Sequence, residues 1–191
     1  MKQNRTEVIK DYLNDSRIPI IILSCGNSYR HLIEAFPDNK VIGLATSHPY
    51  PECVELENRY YTRRELNRLY PDTFNATPGM LPSHLYRKIG EKLYKIIHEA
   101  GWDGSPLMVP LGSGETLHSL GQVFSPDVLR GYYDMGIPEI CYDHTMLTSI
   151  VEGTYIIVNL TGKELLYRTD FVTWIVTLPE IRDKLRWRVR S

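Results

Sequence analysis

Two apolar runs constrain this chain more than any other feature. Ile18-Pro19-Ile20-Ile21-Ile22-Leu23 and Leu107-Met108-Val109-Pro110-Leu111 each end in a short glycine-bearing turn, and helical periodicity resumes after each turn. Near-continuous β-branched or aliphatic runs of this length suit strands buried on both faces, as in a parallel sheet. After the first, Ser24-Cys25-Gly26-Asn27 is the turn, and Tyr29, Leu32, Ile33 and Phe36 form one helical stripe over residues 28–36. Pro37-Asp38-Asn39 breaks that helix, and Lys40–Leu44 reads as the next strand. Residues 18–44 are thus expected to form one strand–helix–strand crossover unit. After the second run come Gly112-Ser113-Gly114-Glu115-Thr116 and a helix through Val123.

The rest of the chain fits the same scheme. Val8, Ile9, Tyr12 and Leu13 predict a first helix over 6–14. Residues 45–82 hold Pro49, Pro51, Pro71, Pro78 and Pro82; a helix is expected over roughly 52–70 and loop elsewhere. Leu85, Ile89, Leu93, Ile96 and Ile97 make a strong stripe over 83–100, with Gly101 as its stop. Thr154–Leu160 and Phe171–Leu178 read as strands. The chain ends with Arg182, Lys184, Arg186, Arg188 and Arg190 alternating with Leu185, Trp187 and Val189, the pattern of an edge strand with a charged outer face. The expectation is a single α/β domain over 1–191, with a mainly parallel sheet and helices on both faces.

Composition narrows the functional classes. With 191 residues, 42% of them hydrophobic, the chain can bury a substantial core. Lys plus Arg number 22 against 23 Asp plus Glu, so the net charge of −1 argues against a bulk polyanion binder. The basic tail, Arg182 to Arg190, leaves a local nucleic-acid contact open. No run reaches the ~20 apolar residues a membrane span needs, and the polar start lacks a signal-peptide core. Cys25, Cys53 and Cys141 are odd in number and far apart, which argues against a disulfide framework and for a reducing cytoplasm. Asn-x-Thr triplets begin at Asn4, Asn75 and Asn159 and are read as chance.

Both turns have the makings of a ligand site. At Gly112–Thr116 the glycines allow close backbone approach, the helix start offers amide donors, and Ser113 and Thr116 add hydroxyls, which together can hold a phosphate dianion. An ordinary capped helix start explains the same residues equally well, and Glu115 would repel an anion unless it points away. Ser24–Asn27 sits beyond the carboxyl end of a strand, where open α/β sheets bind ligands. There too, Asn27 or Ser28 could simply be a helix cap. Cys25 at a helix start could be a nucleophile, though a structural role is the better reading. His118, Asp143 and His144 lack a Gly-x-Ser-x-Gly elbow, so no hydrolase triad is expected. No His pair stands at i, i+4 and no acidic loop has metal spacing, so no metal site is expected.

Taken together, the two turns resemble those of fold-type II pyridoxal-phosphate enzymes, the group of threonine synthase, cysteine synthase and the tryptophan synthase β subunit. Ile20–Phe36 resembles the family's strand, Ser-x-Gly-Asn loop and helix, and Ile89–Leu120 its helix, strand and Gly-Ser-Gly-Gly-Thr phosphate loop. Glu115 stands where the family loop has a glycine. The resemblance implies a reduced fold of this type and a lyase- or transferase-like enzyme acting on an amino acid or related amine. It implies pyridoxal phosphate as cofactor, with Gly112, Ser113, Gly114 and Thr116 on the phosphate and Asn27 on the ring. It also implies Ser24, Cys25 and Gly26 on the substrate carboxylate, and Lys2, nearest the required upstream position, as the catalytic lysine. Family members are longer, so a homodimer partner is expected to cover exposed surface. Two alternatives stand beside this: a non-catalytic protein binding a phosphate-bearing metabolite, and a nucleotide- or phosphosugar-processing α/β enzyme using Gly112–Thr116.

Overall fold

The computed structural model describes residues 2–46, 51–111, 114–133, 149–158 and 166–177. Contacts divide the chain into two compact units, with the boundary between Leu85 and Tyr86.

The first unit opens with helix α1 (Lys2–Leu13), which buries Val8, Ile9 and Leu13 at helical spacing. Strand β1 (Ile20–Ile22) follows, then α2 (Asn27–Ala35) and β2 (Val41–Ala45). This is the expected crossover: β1 and β2 pair in parallel, Ile20 against Val41 and Ile22 against Gly43. All three isoleucines of β1 are fully buried, as a strand covered on both faces requires. Two-residue strands flank this pair: β3 (Val54–Glu55) joins β2, and β4 (Phe74–Asn75) joins β1, both parallel. The order β3-β2-β1-β4 puts β1 and β2 inside an all-parallel sheet. Ile21, Leu44, Tyr61, Leu66 and Met80 form one buried cluster in this unit.

Between β3 and β4 the structure corrects the expected helix over 52–70. Helix α3 spans only Arg63–Leu69. The Thr62 hydroxyl accepts from the Glu65 amide, and the Glu65 carboxylate accepts from the Thr62 amide. This reciprocal box fixes the start at Thr62. Arg59 donates to Glu57 and Glu65, pinning the preceding segment as loop. The Thr62 backbone and hydroxyl donors and Arg59 hold the Glu65 carboxyl at about 2, down from 4.5. Burial raises the Tyr70 phenol above its usual value.

The long helix α4 (Ser83–Glu99) buries Leu85, Ile89, Leu93 and Ile97 completely and ends before Gly101, whose φ of +89° suits glycine. The second unit continues with β5 (Leu107–Leu111), α5 (Glu115–Leu120), a single 3-10 turn at Pro126–Val128, β6 (Leu129–Tyr133), β7 (Ser149–Val158) and β8 (Leu166–Thr177). The four strands close into a barrel, β5-β6-β8-β7. Strand β5 runs parallel to β6 and β7, whereas β8 is antiparallel to both, so this sheet is mixed. Helix α5 packs on α4 at Gly90: a Cβ there would stand 2.2 Å from the Ser119 carbonyl oxygen, so only glycine fits. The architecture is α/β. The basic tail, Arg182–Arg190, lies outside the described residues.

Candidate functional site

The carboxyl end of the first unit's parallel sheet gathers three chain segments. The first is Ser24–Asn27, leaving β1. There the Ser24 amide donates to the Ile22 carbonyl at 2.9 Å, and the Leu23 amide donates to the Thr77 hydroxyl at 2.9 Å. Thr77 belongs to the second segment, leaving β4, and is itself fixed: its amide donates to Asn75 Oδ1 at 3.0 Å. Asn75 in turn donates to Asn67 Oδ1 at 3.3 Å. Asn75 and Thr77 are both buried, so these polar groups depend on one another for partners. Arg5 of α1, only 7% exposed, donates to the Ala76 carbonyl and brings a positive charge to this end of the sheet. The third segment contains Cys53, immediately before β3.

Cys53 overturns one expectation. Cys25 and Cys53 are joined in a disulfide, with Cα atoms 6.3 Å apart and a sequence separation of 28. The wide spacing that argued against pairing is bridged by the crossover. Strand β3 begins level with Leu44, which sets Cys53 beside Gly43 at the carboxyl half of β2, near where β1 delivers Cys25. The Cys25 sulfur is therefore no free nucleophile in this state.

Helix α2 starts at this end of the sheet. Its N-cap is Gly26, and no side chain caps it. The first amides of a helix lack carbonyl partners within it and carry its positive dipole end, so this start can receive an anion. Of the predicted residues, Cys25 is buried, Ser24 and Gly26 are half-buried, and Asn27 is exposed at the first helical position.

The other predicted site residues belong elsewhere. Gly112 and Ser113 lie outside the described residues. Gly114, at φ +78°, is the N-cap of α5, a helix of only six residues. Thr116 is half-buried, and Glu115 is 5% exposed in the first turn. No side chain caps α5, but Glu115 puts an acidic residue in its first turn, so this turn fits a phosphate dianion poorly. Lys2 opens α1, and its side chain lies outside the described part. The Ser24–Asn27 turn falls in the first unit and the Gly114–Thr116 turn in the second. His118 stands edge-on to Tyr86 at 4.8 Å between ring centres; Asp143 and His144 lie outside the described residues.

Another concavity in the first unit, about 440 Å³, lies among Lys10, Asp15, Arg17, Phe36, Asp38 and Asn39. Its lining balances both charge signs, and the Asn39 amide is spent on the Ser16 and Ile18 carbonyls. Among the described residues no cluster of His, Cys, Asp or Glu could hold a metal ion. No described helix is long and apolar enough to cross a membrane. No protein-family model, curated protein or solved structure matches the chain.

Sequence reading missed Arg5, Thr77 and Cys53. Thr77 carried a faint signal: Asn75-Ala76-Thr77 between Pro71 and Pro78 is polar yet flanked by Phe74 and Met80, as a short strand end would be.

Proposed function

We propose that this chain binds a small carboxylate-bearing metabolite, an amino acid, over the Ser24–Asn27 loop of a cytoplasmic α/β protein. One observation carries the reading: α2, without a side-chain cap, starts at the carboxyl end of an interior strand of an all-parallel sheet. The ligand carboxylate would rest on the first amides of α2, with Asn27 exposed beside it and the Arg5 charge nearby. By the family resemblance, pyridoxal phosphate, if bound, would supply an electron sink for lyase- or transferase-type chemistry on the amino acid. The protein's own part is to hold the carboxylate and orient the amino group.

A second reading, a binding protein without catalysis, is favoured by buried Glu115 in the Gly114–Thr116 turn, which fits a phosphate dianion poorly. Calorimetric titration with glycine, followed by pyridoxal phosphate with visible absorption recorded, separates the two. Glycine binding together with a visible band that borohydride bleaches supports the enzyme. Glycine binding without such a band supports the binding protein. A nucleotide that raises the melting temperature while glycine does nothing moves the function to the phosphosugar or nucleotide class. No response to any of these overturns the site.

A further inference from the structure

We propose that the Cys25–Cys53 disulfide is a redox latch on the Ser24–Asn27 loop, which holds the loop in binding shape when oxidised and releases it when reduced. The ligand it governs rests on the reading above; the latch itself rests on the fold.

The bridge spans β2. Cys25 leaves β1 on one side, Cys53 enters β3 on the other, and Gly43 of β2 lies beneath. A Cβ at Gly43 would stand 2.9 Å from the Cys53 sulfur and 3.1 Å from the Tyr29 ring of α2. The Cys53 sulfur and the Tyr29 ring thus both press on the face of Gly43, where only a glycine leaves room for them. Two thiols cannot remain at bonding distance, so on reduction the sulfurs must part. The Tyr29 ring already occupies the room over Gly43, and the sheet below is fully buried at Ile20, Ile21 and Ile22. The displacement therefore falls on the connecting segments, Ser24–Asn27 and the chain entering β3. Strand β3 offers little resistance: it is two residues long, both exposed, and pairs along one edge.

The chemistry of opening follows from the same positions. Cys53 is half-buried and Cys25 only 7% exposed, so an attacking thiolate reaches the Cys53 sulfur first. The S–S bond breaks and the electron pair leaves with the Cys25 sulfur. That thiolate forms one residue before the N-cap of α2, whose dipole favours it as a leaving group. The reductant is a protein dithiol. Its first sulfur makes a mixed disulfide with Cys53, and its second displaces Cys53 as a thiol. The dithiol ends as a disulfide, and its two protons end on Cys25 and Cys53. In a reducing compartment a disulfide that forms is usually of this reversible kind.

The test uses the full chain, oxidised or reduced with dithiothreitol, with peptide mass mapping to read the 25–53 link. Amide exchange is followed over residues 23–30 and 53–56, and glycine affinity is measured in both states. Reduction is expected to speed exchange in both segments and to weaken glycine binding about tenfold, an ordinary size for a coupling between two local events. Exchange over α4 should stay unchanged. Cys53→Ser should reproduce the reduced state without dithiothreitol. Unchanged exchange in both segments, for reduced wild type and variant alike, overturns the latch. Exchange that responds while neither state binds glycine keeps the latch and overturns the ligand assignment instead.

Discussion

The two strand–turn–helix segments are written in nearly the same letters, and the fold uses them differently. After β1 the chain leaves through Ser24–Asn27, is tied by its backbone to the Thr77 hydroxyl, and starts a nine-residue helix on a bare glycine. Before α5 the chain turns through left-handed Gly114 and starts a six-residue helix with a buried glutamate. Neither start has a side-chain cap, but only the second carries an acidic residue in its first turn, and its helix packs onto α4 at Gly90. A glycine-rich turn thus marks where a backbone must bend, and the neighbouring side chain decides whether the bend is a site.

Four substitutions probe that contrast. The largest effect is expected at the α4–α5 contact. Gly90→Ala forces a Cβ against the Ser119 carbonyl, a backbone atom that cannot step aside, and should cost about 3 kcal/mol, read as a lower urea midpoint. A cost near zero would mean the α4–α5 contact is loose and the contrast overstated. Next, Thr77→Val keeps the shape but removes the acceptor for the Leu23 amide, and should cost about 2 kcal/mol. Its glycine affinity should also fall, because the loop loses its anchor.

A third helix start, at Thr62, is the capped control. Thr62→Ala should cost about 1 kcal/mol. Glu65 adds an acid signature. Its carboxyl is held at about 2 in the fold against an ordinary 4.5, so the folded state favours the charged form. The Glu65 contribution is complete above about 4.5 and disappears as pH falls toward 2. Thr62→Ala keeps the backbone donor and Arg59 and removes only the hydroxyl, so that part of the acid-unfolding limb should become shallower without vanishing. The smallest stability effect is expected from Gly26→Asp, which gives the first start an acidic residue of its own. Open space surrounds a Cβ at Gly26, and the added carboxylate can cap α2, so stability should rise by a few tenths of a kcal/mol. Glycine binding should be lost at the same time, and retained binding would remove the α2 amides from the site.

How far the sequence could be read follows from the same physics. The β1–α2–β2 crossover was legible because β1 is buried on both faces and so is written as an unbroken apolar run. The α4 stripe was legible because Leu85, Ile89, Leu93 and Ile97 face one core at helical spacing. Strands β3 and β4 were not: two residues cannot display a period, and only their neighbours define them. The start of α3 was written plainly as Thr62-x-x-Glu65, but the Glu- and Arg-rich stretch before it imitates helix composition. Of the candidate site, Ser24–Asn27 was visible as a turn. Arg5, Thr77 and Cys53 were not, since each reaches it through strand order and register. The disulfide depends on β3 starting level with Leu44, a register no local pattern encodes.

Asn75 carries a last consequence. Its triplet with Ala76 and Thr77 is an acceptor signal for N-linked sugar, yet in the folded chain Asn75 and Thr77 are both buried, with Asn75 accepting from the Thr77 amide and Thr77 accepting from the Leu23 amide. A glycan at Asn75 and the native sheet are therefore mutually exclusive. If the chain were routed through a glycosylating compartment, any product sugar-bearing at that position would be material that was modified before it folded and could no longer complete β4.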